Sequence, residues 1–154
     1  MTPVGSIDTL VVRDVMTPAP ETLHATHSVR AAIRIFAAKH FEHLPVVSGQ
    51  RLIGILSNLD VHAFAAKRPG ALDIELAAMM TKNPIVVFPD TALLEAAQLL
   101  IDRPIHCLPV VDQARVLVGI VTPTDVLRAL VRLCTPVHDE PAPAGADAQP
   151  GQIE

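Results

Sequence analysis

Tryptophan and tyrosine are absent from this chain of 154 residues, and its only Phe, Trp or Tyr residues are four phenylalanines. A planar ligand would therefore be held mainly between aliphatic side chains. Cysteine is almost absent too. Cys107 and Cys134 have neither close cysteine neighbours nor the spacing of a zinc knuckle, so disulfide and metal readings are weak and both thiols are expected to be packing residues. Seven glycines leave little material for phosphate-cradling loops. There is no GxxxxGK[ST], no HExxH and no nucleophile–base pair in a recognisable motif, which ranks catalysis well below binding. No run approaches the roughly 20 apolar residues that span a bilayer. The start, MTPVGSIDTLVVRDVM, lacks the basic and apolar segments of a secretory signal, so a cytoplasmic protein without membrane contact is expected.

Lysine and arginine are missing from the last stretch, DEPAPAGADAQPGQIE, which holds Asp139, Glu140, Asp147 and Glu154. These four acids account for the formal net charge of −4 and leave the body neutral. That body has no basic face or reading helix for nucleic acid. Rich in Pro and Ala, with Ile153 its one large aliphatic residue, the stretch 139–154 is expected to be disordered. Half of all residues are hydrophobic, enough for one domain or for two small halves that share a core.

What the chain does have is a repetition. Met16-Thr17 matches Met80-Thr81, and Leu44-Pro45-Val46-Val47 matches Leu108-Pro109-Val110-Val111, both at an offset of 64. The helical stripe Val29, Ala32, Ile33, Phe36, Ala37 recurs as Leu93, Ala96, Ala97, Leu100, Ile101. One extra residue in the second hairpin then moves Gly54 onto Gly119 and Asp60 onto Asp125. Each copy reads β-α-β-β-α, with elements in the first near residues 22–24, 28–39, 43–47, 52–56 and 58–67. Turns are expected at Ser48-Gly49-Gln50 and at Asp112-Gln113-Ala114. A single copy would leave one face of its small sheet bare, so two copies pack together with pseudo-twofold symmetry and two related clefts. The expected fold is α/β (α+β), with repeats over 8–70 and 71–136.

Both copies close on a helix start, Ser57-Asn58-Leu59-Asp60 and Thr122-Pro123-Thr124-Asp125. The bland reading is a capping hydroxyl with a first-turn acid. The functional reading places free N–H groups beside a carboxylate able to accept two hydrogen bonds from a sugar diol. Gly54 and Gly119 remove a side chain from the strand that leads into each cleft. Capping explains the Ser/Thr and the acid, but not why glycine, cap and acid recur together with the distant Met-Thr and Leu-Pro-Val-Val.

Together the paired motifs MT, LPVV and G-[IV]-[LV]-[ST]-x-x-D, spanning about Val12 to Leu133, resemble the CBS-domain family, whose tandem copies form a Bateman module. The resemblance implies binding of AMP, ADP, ATP or S-adenosylmethionine as a regulatory ligand, and pairing into a flat dimer. It implies one cleft joining Ser57 and Asp60 to Thr81, Ile85 and Ile105, and another joining Thr122 and Asp125 to Thr17, Glu21 and Phe41. Asp60 and Asp125 would hold ribose hydroxyls, and Ser57 and Thr122 would lie near ribose or phosphate. Glu21 departs from the aliphatic residue that Ile85 supplies in the other copy, and its carboxylate would repel phosphate. His43 and His106 stand where similar sensors aim basic side chains at phosphate, with strand-edge histidines as the alternative; Arg51 and Arg115 rank below them.

The leading function is a ligand-sensing module that signals to a separate, unidentified protein. Its competitor is a dimeric scaffold with vestigial clefts. A homodimer is expected because Leu59, Ala63, Phe64, Ala66, Val126, Leu127, Leu130 and Val131 exceed one narrow helical stripe.

Overall fold

The structure, a computed structural model, describes residues 6–135; the acidic tail expected to be disordered lies outside them. The chain runs β1 (Thr17–Pro18), β2 (Leu23–His24), α1 (Val29–Lys39), β3 (His43–Ser48), β4 (Arg51–Ser57), α2 (Asn58–Lys67), β5 (Thr81–Lys82), α3 (Leu93–Asp102), β6 (Leu108–Val111), β7 (Leu117–Val121) and α4 (Pro123–Cys134). Short 3-10 turns at Val12–Asp14 and Leu76–Ala78 precede β1 and β5. The mixed α/β architecture and its internal repetition are those read from the sequence, except that the second copy has only an isolated bridge, Val87 with Val110, where the first has β2.

Local chemistry explains the boundaries. Ser28 caps α1 by accepting from the Ala31 amide at 3.2 Å, and His40 ends it in the left-handed conformation at φ 54°. Pro123 opens α4 at a position where no amide is needed. Alternation along β4 buries Leu52, Gly54 and Leu56 on one face. On α1, Val29, Ala32 and Phe36 are buried. Both stripes are narrower than expected: Ala37 at the end of the first is exposed, and on α3 Leu93 and Ala96 are buried while Ile101 is 75 % exposed.

The two sheets have the orders β1-β7-β6 and β2-β3-β4-β5. Each therefore recruits an edge strand from the other copy: Thr17 pairs with Ile120, and Thr81 with Ile55. The cores exchange as well. Val12 is buried with Val87, Leu108 and Val121, whereas Leu76 is buried with Leu23, Phe36 and Leu56. The hairpin ends meet through Leu52 N–H to Arg115 O at 3.0 Å and Leu117 N–H to Gln50 O at 3.2 Å. Crossed in this way, the copies cannot separate without breaking both sheets. No helix among the described residues is long and apolar enough to cross a membrane.

The exchange also gives the glycines a different reason from the one expected. A Cβ on Gly54 would lie 2.5 Å from Met80 Sδ, and one on Gly119 would lie 2.5 Å from Met16 Sδ. Each glycine clears space for the methionine of the opposite Met-Thr pair. Two distant motifs are thus one packing unit.

After each of the crossing strands β1 and β5 the backbone turns left-handed, at Ala19 (φ 44°) and Asn83 (φ 49°). Asparagine tolerates that region and alanine does not. Ala19→Gly is expected to stabilise the fold by about 0.5–1 kcal/mol, read by urea unfolding; an unchanged or lower stability would contradict the assignment of strain to Ala19.

Candidate functional site: two clefts between the repeats

Strand exchange brings the end of β4 beside the segment that follows β5, and the end of β7 beside the segment that follows β1. Two cavities result. The first, of about 900 Å³, takes Ser57 and Asp60 from the start of α2 together with Thr81, Ile85 and Ile105. The second, of about 730 Å³, takes Thr122 and Asp125 from the start of α4 together with Thr17, Glu21 and Phe41. His43 and His106 line both cavities, with ring centroids 6.0 Å apart. They are not symmetry mates: at the offset of 64, His43 corresponds to Cys107 and His106 to Glu42. Arg51 and Arg115 are at the hairpin ends and line neither cavity.

The two acids differ in state. Ser57 Oγ accepts from the Asp60 amide at 3.0 Å, so the hydroxyl does the capping. The exposed Asp60 carboxylate accepts no hydrogen bond among the described residues. Asp125 is 8 % exposed, and its Oδ2 accepts from the Thr122 amide at 2.8 Å and from Thr122 Oγ1 at 3.1 Å. Arg128 Nη1 lies 3.8 Å from its other oxygen. In the second cleft one oxygen of the carboxylate is already committed to the helix start, the bland role weighed from the sequence.

Charges elsewhere in the clefts modify the expectations. Glu21 pairs with Lys39 Nζ at 2.9 Å, which offsets the negative charge expected to repel phosphate. Arg128 lines the second cavity, while Ala63 stands at its place in the first copy. The arginine went unnoticed in the sequence because it falls outside the repeated motif. Glu42, which lines both cavities, was also missed, since its counterpart is His106. Asn58 lines the first cavity and has a buried side-chain oxygen without a partner among the described residues.

Burial and then the neighbouring His106 hold the His43 pKa below its ordinary value, against the opposing pull of Glu42 and Asp60. A depressed histidine favours folding most where it is neutral. The contribution is complete above about pH 6.5 and is lost as pH falls from there through the folded value. Melting temperature should therefore fall more steeply between pH 7 and 5 for wild type than for His43→Gln. Parallel curves would contradict it.

Cys107 is buried at the wall of the first cavity, and desolvation pushes its thiol up to about 12, which makes it an inert packing residue as expected. Cys134 is exposed in the last turn of α4, contrary to a packing role. Among the described residues no group of three or more His, Cys, Asp or Glu side chains is placed to hold a metal ion.

Known proteins share this fold. CBSX2 of Arabidopsis thaliana, solved in complex with AMP, is 30% identical, with a TM-score of 0.74 over 80% of this chain and 97% of that one. The CBS domain pair of protein MJ0100, solved in complex with 5′-methylthioadenosine and S-adenosyl-L-methionine, is 29% identical, with a TM-score of 0.70 over 79% of this chain and 96% of that one. A homoserine O-acetyltransferase of Methanococcus vannielii is 30% identical over 121 residues, which is 78% of this chain and 25% of the enzyme. The chain spans about a quarter of the length of such enzymes, and the match covers only their CBS part. The CBS domain model matches residues 12–66 and 73–132. With its crossed repeats, paired clefts and both matched segments, the chain belongs to the CBS-domain family as a tandem pair.

Proposed function

We propose that the chain is a regulatory module that binds an adenosine-containing ligand in the clefts between its repeats and passes their occupancy to a partner protein. The observation that carries this reading is the Asp60 carboxylate, unpaired among the described residues, at the rim of a cavity walled by Ile85 and Ile105. A carboxylate can accept both hydroxyls of a ribose, and branched aliphatic walls suit a purine where aromatic side chains are scarce. The bound AMP of CBSX2 and the bound adenosine thioether and sulfonium of MJ0100 support the ligand class. The apolar cavity and its few convergent polar groups favour a binding site over a catalytic one.

The scaffold reading finds its support in the second cleft, where Asp125 is buried and gives one carboxylate oxygen to Thr122. A thermal-shift screen of adenosine, AMP, ATP, 5′-methylthioadenosine and S-adenosylmethionine separates the two readings. A ligand selective for the folded chain raises its melting temperature as concentration passes Kd. Absence of any shift at millimolar ligand would leave the scaffold.

We further propose a homodimer. Leu59 is 79 % exposed, and Leu127, Leu130 and Val131 of α4 are exposed with it, as are Leu94 and Ile101 of α3. Of the residues expected on this face, Phe64 and Val126 instead pack partly against the cores. Sedimentation at micromolar concentration is expected to give twice the 16.4 kDa chain mass; a monomer alone would overturn the dimer.

A further inference from the structure

The ionisable residues that line the first cavity are Glu42, His43, Asp60, His62, His106 and Cys107; among the described residues no lysine or arginine lines it. Its fixed charges are thus two carboxylates, neither ion-paired among the described residues. His43, its desolvated histidine, is held toward the neutral form. The second cavity differs, because Arg128 lines it and Lys39 pairs with its Glu21. A phosphate in the first cavity would meet two like charges with no lysine or arginine to offset them, and like charges repel.

Resting on the adenosine reading above, we propose that the Asp60 cleft selects an adenosine whose 5′ substituent is neutral or cationic, a thioether or sulfonium rather than a phosphate. Glu42 is its specificity-determining counter-charge. Glu42 lines the first cavity together with Asp60, Ile85 and Ile105, and lines the second as well, so its carboxylate shares the wall of whatever the Asp60 cleft holds. The exposed Glu42 carboxylate makes no ion pair among the described residues and carries no part of the core. In the other repeat the corresponding residue is His106, so an acid at this place is particular to the first copy. A sulfonium beside Glu42 gains a charge partner, a thioether is indifferent to it, and a phosphate is opposed by it.

Calorimetric titration of the full chain at pH 7.5 with S-adenosylmethionine, 5′-methylthioadenosine and AMP tests the inference, using wild type, Glu42→Gln and Asp60→Ala. At the Asp60 cleft, S-adenosylmethionine and 5′-methylthioadenosine should each bind at least about tenfold tighter than AMP. Glu42→Gln should weaken S-adenosylmethionine about fivefold, leave 5′-methylthioadenosine within about twofold and strengthen AMP. Asp60→Ala should weaken both favoured ligands, while any AMP held by the second cleft survives it. AMP binding that is tighter than 5′-methylthioadenosine binding and is lost in Asp60→Ala would overturn the charge selection and leave the adenosine reading intact. An S-adenosylmethionine affinity unchanged in Glu42→Gln would overturn the role of Glu42. No binding by any of the three would overturn the adenosine reading itself, and the inference with it.

Discussion

Gly54→Ala is expected to destabilise the fold by about 1–3 kcal/mol, far more than an exposed glycine-to-alanine change. Its new Cβ would lie 2.5 Å from Met80 Sδ, 2.9 Å from Met80 Cγ and 3.0 Å from the Thr81 carbonyl oxygen. The methionine can swing away only by giving up its place against the first core, where it packs partly buried. The carbonyl cannot swing at all without moving β5, the strand donated by the second copy. Displacing β5 also shifts Thr81 and the segment to Ile85, so ligand affinity should fall with stability. Gly119→Ala should behave alike, since Met16 Sδ would stand 2.5 Å away and the Thr17 carbonyl oxygen 3.1 Å away. Combining Gly54→Ala with Met80→Ala should recover part of the loss as a measurable coupling, with the Thr81 contact setting the remainder. Urea unfolding checks these values. A loss under about 0.5 kcal/mol for Gly54→Ala would show that the crossing strands are not packed as described.

The second large effect separates two acids that look equivalent in sequence. Asp60→Ala should cost no more than a few tenths to about 1 kcal/mol of stability, the worth of a first-turn charge at a helix dipole. It should weaken the best adenosine ligand at least about tenfold, because charge-assisted hydrogen bonds to the ribose are each worth roughly 1.5–3 kcal/mol. Asp125→Ala should show the opposite balance. It removes an acceptor that holds the Thr122 amide and hydroxyl, at 2.8 and 3.1 Å. The expected stability loss is about 1–2 kcal/mol, with little change in the affinity of the first cleft. Denaturant melts and calorimetry on both variants give the comparison. Equal behaviour of the two variants would contradict the asymmetry between the clefts.

Most of the fold was legible because it is written twice. Offsets of 64 from Met16 to Met80 and from Leu44 to Leu108 define the copies, and the helical and alternating apolar patterns place the long elements within a residue or two. The crossing strands were not legible. Thr17–Pro18 and Thr81–Lys82 span two residues each, too short for any period, and only their pairing with β7 and β4 defines them. The meaning of Gly54 was hidden for the same reason, since its contact with Met80 exists only after the exchange. Ile101 kept the period of a buried stripe yet faces outward, as does its counterpart Ala37 on α1, because each helix buries a narrower face than the apolar period spans.

The candidate site was legible as a set of residue types and positions, not as a set of states. Ser57, Asp60, Thr122 and Asp125 stand out through recurrence, but nothing in the two phrases tells that Asp125 folds back on Thr122 while Asp60 does not. Arg128, Glu42 and Lys39 carry the charge balance of the clefts and lie outside the repeated motifs, so repetition alone could not point to them. Electrostatic character at this seam comes from departures between the copies.

Binding of an adenosine ligand by the Asp60 cleft is measured by titrating wild type and Asp60→Ala calorimetrically with 5′-methylthioadenosine and with the matching guanosine compound. Wild type should bind the adenosine compound saturably and the guanosine compound more weakly, and Asp60→Ala should lose at least about tenfold in affinity. Adenosine binding that is indifferent to Asp60, or no saturable binding by wild type, would contradict an adenosine site in this cleft.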